Sequence, residues 1–365
     1  MRRCIVHIGM HKTGSKSIQR ALSSAPAGPD LRYVDLGSPN HSMPLSSAFL
    51  LEPWTHRVHV GAGRTRAQVE AERSRVLAQM ESQFDSPHGT YILSGEAICT
   101  FSRVELEALR SWLASRVDEI RIVGYVRPVK GFMASSLQQR VRGGQRELSV
   151  DDLYPNFRKK FAKFDDVFGR TQVSLRKYSP ASFEANCVVR DFVSHIGIEL
   201  AVPVDARANA SLSRNALALL FAYRRSEHQF GAGATVPGEN RRLVRLLSRL
   251  EGGQVSLANS LLHPVIQANR SDLEWMEARL GEPLRDGLDD RDGPDAITSD
   301  DDLLSFEPQA VKWLAEQVGA EIGADPAAID AKRVADWMHR LRARAATEYA
   351  ATVARQDARR QRMPA

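Results

Sequence analysis

The chain has 365 residues, with apolar residues at 43% and charged residues at 26%, enough for one large folded domain or two smaller ones with a real core. Its formal net charge of +6 favours an anionic ligand, whether a phosphorylated small molecule, nucleic acid or a membrane surface. No apolar run approaches the roughly 18–20 residues of a membrane span, and three cysteines (Cys4, Cys99, Cys187) without metal-ligand spacing argue against a disulfide framework and for a reducing, cytoplasmic setting.

The first element is short and apolar, "RRCIVHIGM". His7 interrupts it, so it reads as a β-strand and not as a signal peptide, with His7 itself a core residue. From about Ser15 the spacing of Ile18, Ala21 and Leu22 predicts a helix. Residues 24–63 are rich in Pro, Gly and Ser and read mostly as loop, with a short strand in "LRYVDL". A strong helix is predicted over 65–84, a buried strand over "TYILSGE" ending at Glu96, and a helix over 103–116. "EIRIVGYVR" is the next strand, and Pro128 then suits the first turn of a helix. "TQVSLRKY" is another strand, followed by a helix over 182–195. Strands alternating with helices predict an α/β fold, with a mostly parallel central sheet flanked by helices.

After about residue 200 helices follow one another, at roughly 211–225, 240–251, 258–280, 307–320 and 331–350. Glycine-rich "FGAGATVPGEN" and acidic "LRDGLDDRDGPDAITSDDD" separate them. The expected organisation is an α/β core over 1–205 and a mostly helical C-terminal region over 206–365, packing on the core and ending in a basic frayed tail from about 352.

"GMHKTGSKS" joins the first strand to the first helix. A glycine turn there aims several backbone N–H groups at one point, and the helix dipole adds partial positive charge. Lys12 supplies a cation, and the hydroxyls of Thr13, Ser15 and Ser17 supply further donors. The Walker A pattern is missed by one residue: Gly9 and Gly14 have its spacing, but Ser15 stands before Lys16. An ATP-hydrolysing reading also needs an acidic residue after a later strand to hold magnesium, for which Glu96 is the candidate.

The segment "HIGMHKTGSKSIQ" resembles the 5′-phosphosulfate loop of sulfotransferases that use 3′-phosphoadenosine 5′-phosphosulfate (PAPS). Lys12, Thr13, Gly14 and Ser15 match it, while Lys16 stands where the family has a hydroxyl residue. "IVGYVRPVKGFMASSLQQR" resembles the family's 3′-phosphate element, an arginine ending a strand and a serine eight residues later: Arg127 and Ser135. The proline directly after Arg127 departs from many relatives. Weaker similarity, through "LRYVDLGSPNHS", "SLRKYSPASFEANCVVRDFVSHIGI" and "NASLS", extends the resemblance over about residues 3 to 215.

The resemblance implies a bacterial-type enzyme that moves a sulfuryl group from PAPS to a hydroxyl or amine, with a carbohydrate or glycolipid acceptor by analogy and no metal. Lys12 is expected to stabilise the leaving oxygen. Ser15, Lys16, Ser17 and the Gly14 backbone would hold the 5′-phosphate, and Arg127 with Ser135 the 3′-phosphate. Glu96 is the first candidate general base, His41 the second and His11 the third. Two alternatives stand beside this one: a magnesium-dependent P-loop kinase or ATPase, and a nucleic-acid or membrane-surface binder using "ENRRLVRLLSRL" and the basic tail. Nucleic-acid binding is not expected on the leading reading.

Overall fold

A computed structural model describes residues 1–25, 30–85, 89–200, 211–226, 237–323, 325–326 and 329–361. The chain divides into two compact units, residues 1–128, 156–208 and 269–284 in the first and residues 129–155, 209–268 and 285–365 in the second.

The first unit is built on five parallel strands: β1 (Arg3–His7), β2 (Leu31–Tyr33), β3 (Thr90–Ser94), β4 (Glu119–Val126) and β5 (Val173–Lys177). Their order is β2-β3-β1-β4-β5, so β1 sits centrally between β3 and β4. The register pairs Ile5 with Ile92 and with Arg121, and His7 with Ser94 and with Val123. β3 is buried throughout, as a strand covered on both faces must be. Alternation divides the strands between two layers. Ile5, Ile92, Val123 and Tyr125 pack with Ile18 and Leu22 of helix α1 (Ser15–Ser24) and with Val189, Phe192 and Val193 of helix α8 (Val188–His195).

The segment expected to be mostly loop carries two helices, α2 (Ser42–Phe49) and the short α3 (Arg57–Gly61). Pro44 hides α2 from a sequence reading, yet it lies in the first turn, where its missing N–H costs nothing. Helices α4 (Arg66–Phe84) and α5 (Arg103–Ala114) start at Thr65 and Ser102, each closing a reciprocal capping box with a residue three positions on. β3 stops at Ser94, two residues before the expected end at Glu96: the Gly95 N–H still bonds the His7 carbonyl of β1 at 3.0 Å, and a 3₁₀ turn (Glu96–Thr100) follows at once. The expected helix over 182–195 is confined to α8. Two 3₁₀ turns precede it, with Ala185 and Asn186 in the left-handed region.

Helix α7 (Phe157–Phe168), absent from the sequence expectations, buries Phe157, Phe161, Phe164 and Phe168 at helical spacing. Its first turn has no cap of its own, since Asn156 is left-handed. Asp272 of helix α12 (Arg270–Leu280) replaces it, accepting from the N–H groups of Phe157 and Arg158 at 2.8 Å each. Arg279 of α12 pairs with Asp165 of α7 at 2.6 Å, so α12 grips α7 at two points.

The second unit is helical: α6 (Val129–Gly143), α9 (Arg214–Arg225), α10 (Pro237–Leu247), α11 (Asn259–Ala268), α13 (Pro308–Val318) and α14 (Ala331–Gln361). The single helix expected over 258–280 is α11 and α12, separated at Asn269. α9 is its buried core, and Arg224 donates to the Val141 and Arg142 carbonyls at 3.0 Å each, satisfying the end of α6. The helix backbone of α14 continues through the stretch expected to be frayed. Most of the glycine-rich "FGAGATVPGEN" and the first two residues of "NASLS" lie outside the described residues. Among the described residues no helix is long and apolar enough to cross a membrane.

Removing the Asp272 carboxylate leaves two N–H groups of α7 without a cap. Asp272→Ala should lower unfolding stability by about 1–2 kcal/mol, read by denaturant titration, and a loss below a few tenths would show that α7 is held by its phenylalanines alone.

Candidate functional site

The loop between β1 and α1 reverses an extended chain into a helix within a few residues. Ile8 still donates to the Val123 carbonyl at 2.9 Å, so the chain leaves the sheet only at Gly9. Gly9, Lys12 and Gly14 are all left-handed, at φ 47°, 71° and 77°. Glycine is required at two of them. A Cβ on Gly9 would lie 2.5 Å from Ser15 Oγ, and one on Gly14 would lie 2.6 Å from Val188 Cγ1. Lys12 bears its Cβ in this strained region, which costs on the order of 1 kcal/mol or more.

Two bonds hold that turn. Thr13 is fully buried and its hydroxyl donates to the Met10 carbonyl at 2.6 Å. Arg127, just past the end of β4, donates from Nη1 to the Lys12 carbonyl at 3.0 Å. Thr13 therefore closes the loop with the hydroxyl expected to serve a ligand. Among the described residues, the N–H groups of Met10, His11, Thr13, Gly14, Ser15 and Lys16 meet no acceptor. They stand at the N-terminus of α1, where partial positive charge favours an anion. Ser15 and Ser17 are buried in the first turn. Lys16 is exposed, with no hydrogen bond or ion pair among the described residues.

The 3₁₀ turn after β3 packs against this loop. Cys99 Sγ lies 2.6 Å from the Gly9 carbonyl and 3.3 Å from that of Ile8. Lys163 of α7 fastens the turn by donating to the Cys99 and Phe101 carbonyls at 2.7 and 2.5 Å. Glu96 opens the turn half-buried, with no hydrogen bond or ion pair among the described residues. Burial holds His11 below its ordinary range against the opposing pull of Glu96, and the cations of Lys160, Lys12 and Arg57 lower it further. His11 is thus neutral at pH 7, with Glu96 and three cations within electrostatic reach. Burial also lowers Lys160, which the charge of Asp272 and the Cys99 sulfur partly offset.

Lys160, Lys163, Cys99 and Arg57 were not anticipated as site residues. The repeat Phe157, Phe161, Phe164, Phe168 would have revealed α7 and put Lys160 and Lys163 on its flanks. Nothing in the sequence ties Cys99 or Arg57 to the loop.

The other anticipated residues lie elsewhere. His41 is fully enclosed: its Nδ1 accepts from the Ser94 N–H at 3.1 Å and its ring stacks on Tyr33 at 4.6 Å between centroids. Burial pushes it down to about 4, against the pull of Asp35 and the Val34 carbonyl. A ring whose basic nitrogen already holds a main-chain proton fastens the end of β3 and does not draw a proton from a substrate. Ser135 is buried on α6, in the second unit. Of the basic stretch "ENRRLVRLLSRL", Leu243 and Leu247 are buried, Arg242 pairs with Glu348 at 3.5 Å, and Arg241, Arg245 and Arg249 are exposed. Among the described residues no group of three or more His, Cys, Asp or Glu could hold a metal.

No family model matches the chain, and no curated protein matches it. Among solved structures, a sulfotransferase from Alicyclobacillus acidocaldarius is similar at 16% identity and a TM-score of 0.37, over 61% of this chain and 93% of that one.

Two predictions follow from this geometry. Gly14→Ala combines a left-handed backbone with a contact to Val188 and should destabilise the fold by about 1–3 kcal/mol in chemical unfolding; an unchanged midpoint would mean that α8 yields freely. His41 has a lowered pKa in the native state, so the unfolded chain binds its proton first as pH falls. Its contribution is intact above pH ~6.5 and falls away towards pH ~4, by up to about 3 kcal/mol. The difference in stability between the wild type and His41→Gln should therefore shrink over that window, and a constant difference would rule the effect out.

Proposed function

We propose that this protein is a sulfotransferase that takes a sulfuryl group from PAPS and passes it to a hydroxyl or amine. The observation that supports it most is the bond from Arg127 to the Lys12 carbonyl. It joins, within the first unit, the two stretches whose residues resemble the family's phosphate elements, 115 positions apart. The loop residues fit a phosphosulfate: unpaired N–H groups at a helix N-terminus, the buried Ser15 hydroxyl, and a nearby cation in Lys12.

On this reading Lys12 stabilises the negative charge that develops on the bridging oxygen as the sulfur–oxygen bond breaks. The loop N–H groups, with Ser15 and Ser17, hold the 5′-phosphate. Arg127 takes the 3′-phosphate, for which a guanidinium offers a two-pronged fit. Glu96 is the base that takes the acceptor proton, with the neutral His11 beside it. Lys16 contributes its backbone N–H to the loop, while its exposed side chain is not among the groups assigned to the donor. No metal is required, and the acceptor is a small molecule or glycan.

The kinase alternative is less well supported. It needs the lysine after the second glycine to reach a β- or γ-phosphate, and the candidate nearest that place, Lys16, is exposed. Calorimetry separates the two. Adenosine 3′,5′-bisphosphate should bind without magnesium, and Lys12→Ala and Arg127→Ala should each weaken it about tenfold or more. Binding of ATP with magnesium, and not of the bisphosphate, would sink the proposal.

A further inference from the structure

The gap beside Gly9 is bordered by two polar atoms. The point a Cβ would occupy lies 2.5 Å from Ser15 Oγ and 3.6 Å from both Cε1 and Nε2 of His7. Both side chains are almost wholly enclosed, at 3% and 1% exposure, and neither Ser15 Oγ nor His7 Nε2 has a hydrogen-bond partner among the described residues. A buried polar atom without a partner is costly, and two facing the same gap call for a common cause.

The far edge of the His7 ring is fixed. Nδ1 lies 2.8 Å from Ser94 Oγ, across the paired register of β1 and β3. The ring rests against Phe192, 5.0 Å between centroids. Burial pushes the imidazole down to about 3, so it stays neutral and carries one proton. An imidazole pinned at one nitrogen presents the other in a set direction. A serine hydroxyl can accept one hydrogen bond while donating another.

We propose that His7 is a positioning residue for phosphate capture: when a phosphate enters the loop, the His7 Nε2–H closes onto the Ser15 oxygen beside Gly9 and leaves the hydroxyl proton to point at the phosphate. This rests on reading the loop as a phosphate site, whichever nucleotide carries the phosphate. It also gives Gly9 a second reason to lack a side chain, since a Cβ there would separate the pair.

The test is a cycle of full-length variants titrated with adenosine 3′,5′-bisphosphate and with ATP plus magnesium. His7→Gln keeps an amide nitrogen where Nε2 stands; His7→Asn keeps the contact to Ser94 and loses Nε2. His7→Asn and Ser15→Ala should each weaken the bound nucleotide about tenfold, the double variant should be no weaker than either single one, and His7→Gln should stay within about threefold of the wild type. Additive losses, or equal losses for Gln and Asn, overturn the proposal. A second readout needs no His7 variant: the Nε2 nitrogen-15 signal of His7 should move when nucleotide is added to the wild type and stay still in Ser15→Ala. A signal that does not move in the wild type also overturns it. If ATP binds in place of the bisphosphate and the cycle holds, the donor assignment fails and the role of His7 stands. If neither nucleotide binds, both fall.

Discussion

The turn from β1 into α1 is the constraint on which the candidate site depends. An extended chain must become helical between Ile8 and Ser15, and it does so through three left-handed residues, one of them a lysine. Such a turn does not persist unaided. The Thr13 hydroxyl closes it from within, Arg127 holds the Lys12 carbonyl from the end of β4, and the Cys99 thiol meets the Gly9 carbonyl from the turn after β3. Three separated stretches of chain thus share the strain, and the result is a row of N–H groups presented to an anion.

The same arrangement sets the electrostatics. Lys12, Lys160 and Arg57 act together on His11, while among the described residues Glu96 is the carboxylate that opposes them. Three histidines of the first unit have lowered pKa values with burial as the main cause, but they are used differently. His41 fastens a strand end, His7 is held at one edge by Ser94, and His11 stands among the charged side chains. A neutral imidazole adds no charge to these surroundings, yet it still offers a directed hydrogen-bonding group.

The strands were legible because parallel strands covered on both faces read as unbroken apolar runs, and "CIVH", "TYILS" and "IVGYV" are such runs. The loop was legible because glycines at fixed spacing between a strand and a helix leave few other meanings. The helices α2 and α3 were not, because proline, serine and glycine there pack against neighbours that no local pattern announces. α7 was a different case: its phenylalanine repeat is explicit, and only the absence of a capping residue, supplied instead by Asp272, concealed where it begins.

Local spacing and residue chemistry were enough to reveal the alternation of strand and helix and the glycine turn, whereas Lys12 and Arg127 entered as candidate phosphate ligands through the family resemblance of their two motifs. The sequence could not distribute roles among similar residues, because burial and partnership arise only when distant segments meet. Tertiary structure decided that Thr13 closes the loop, that Lys16 faces solvent, and that His41 is a strand fastener. It also brought Lys160 to the neighbourhood of His11 from a helix 149 positions further along, and set both His7 and Ser15 beside the point that a Gly9 side chain would occupy.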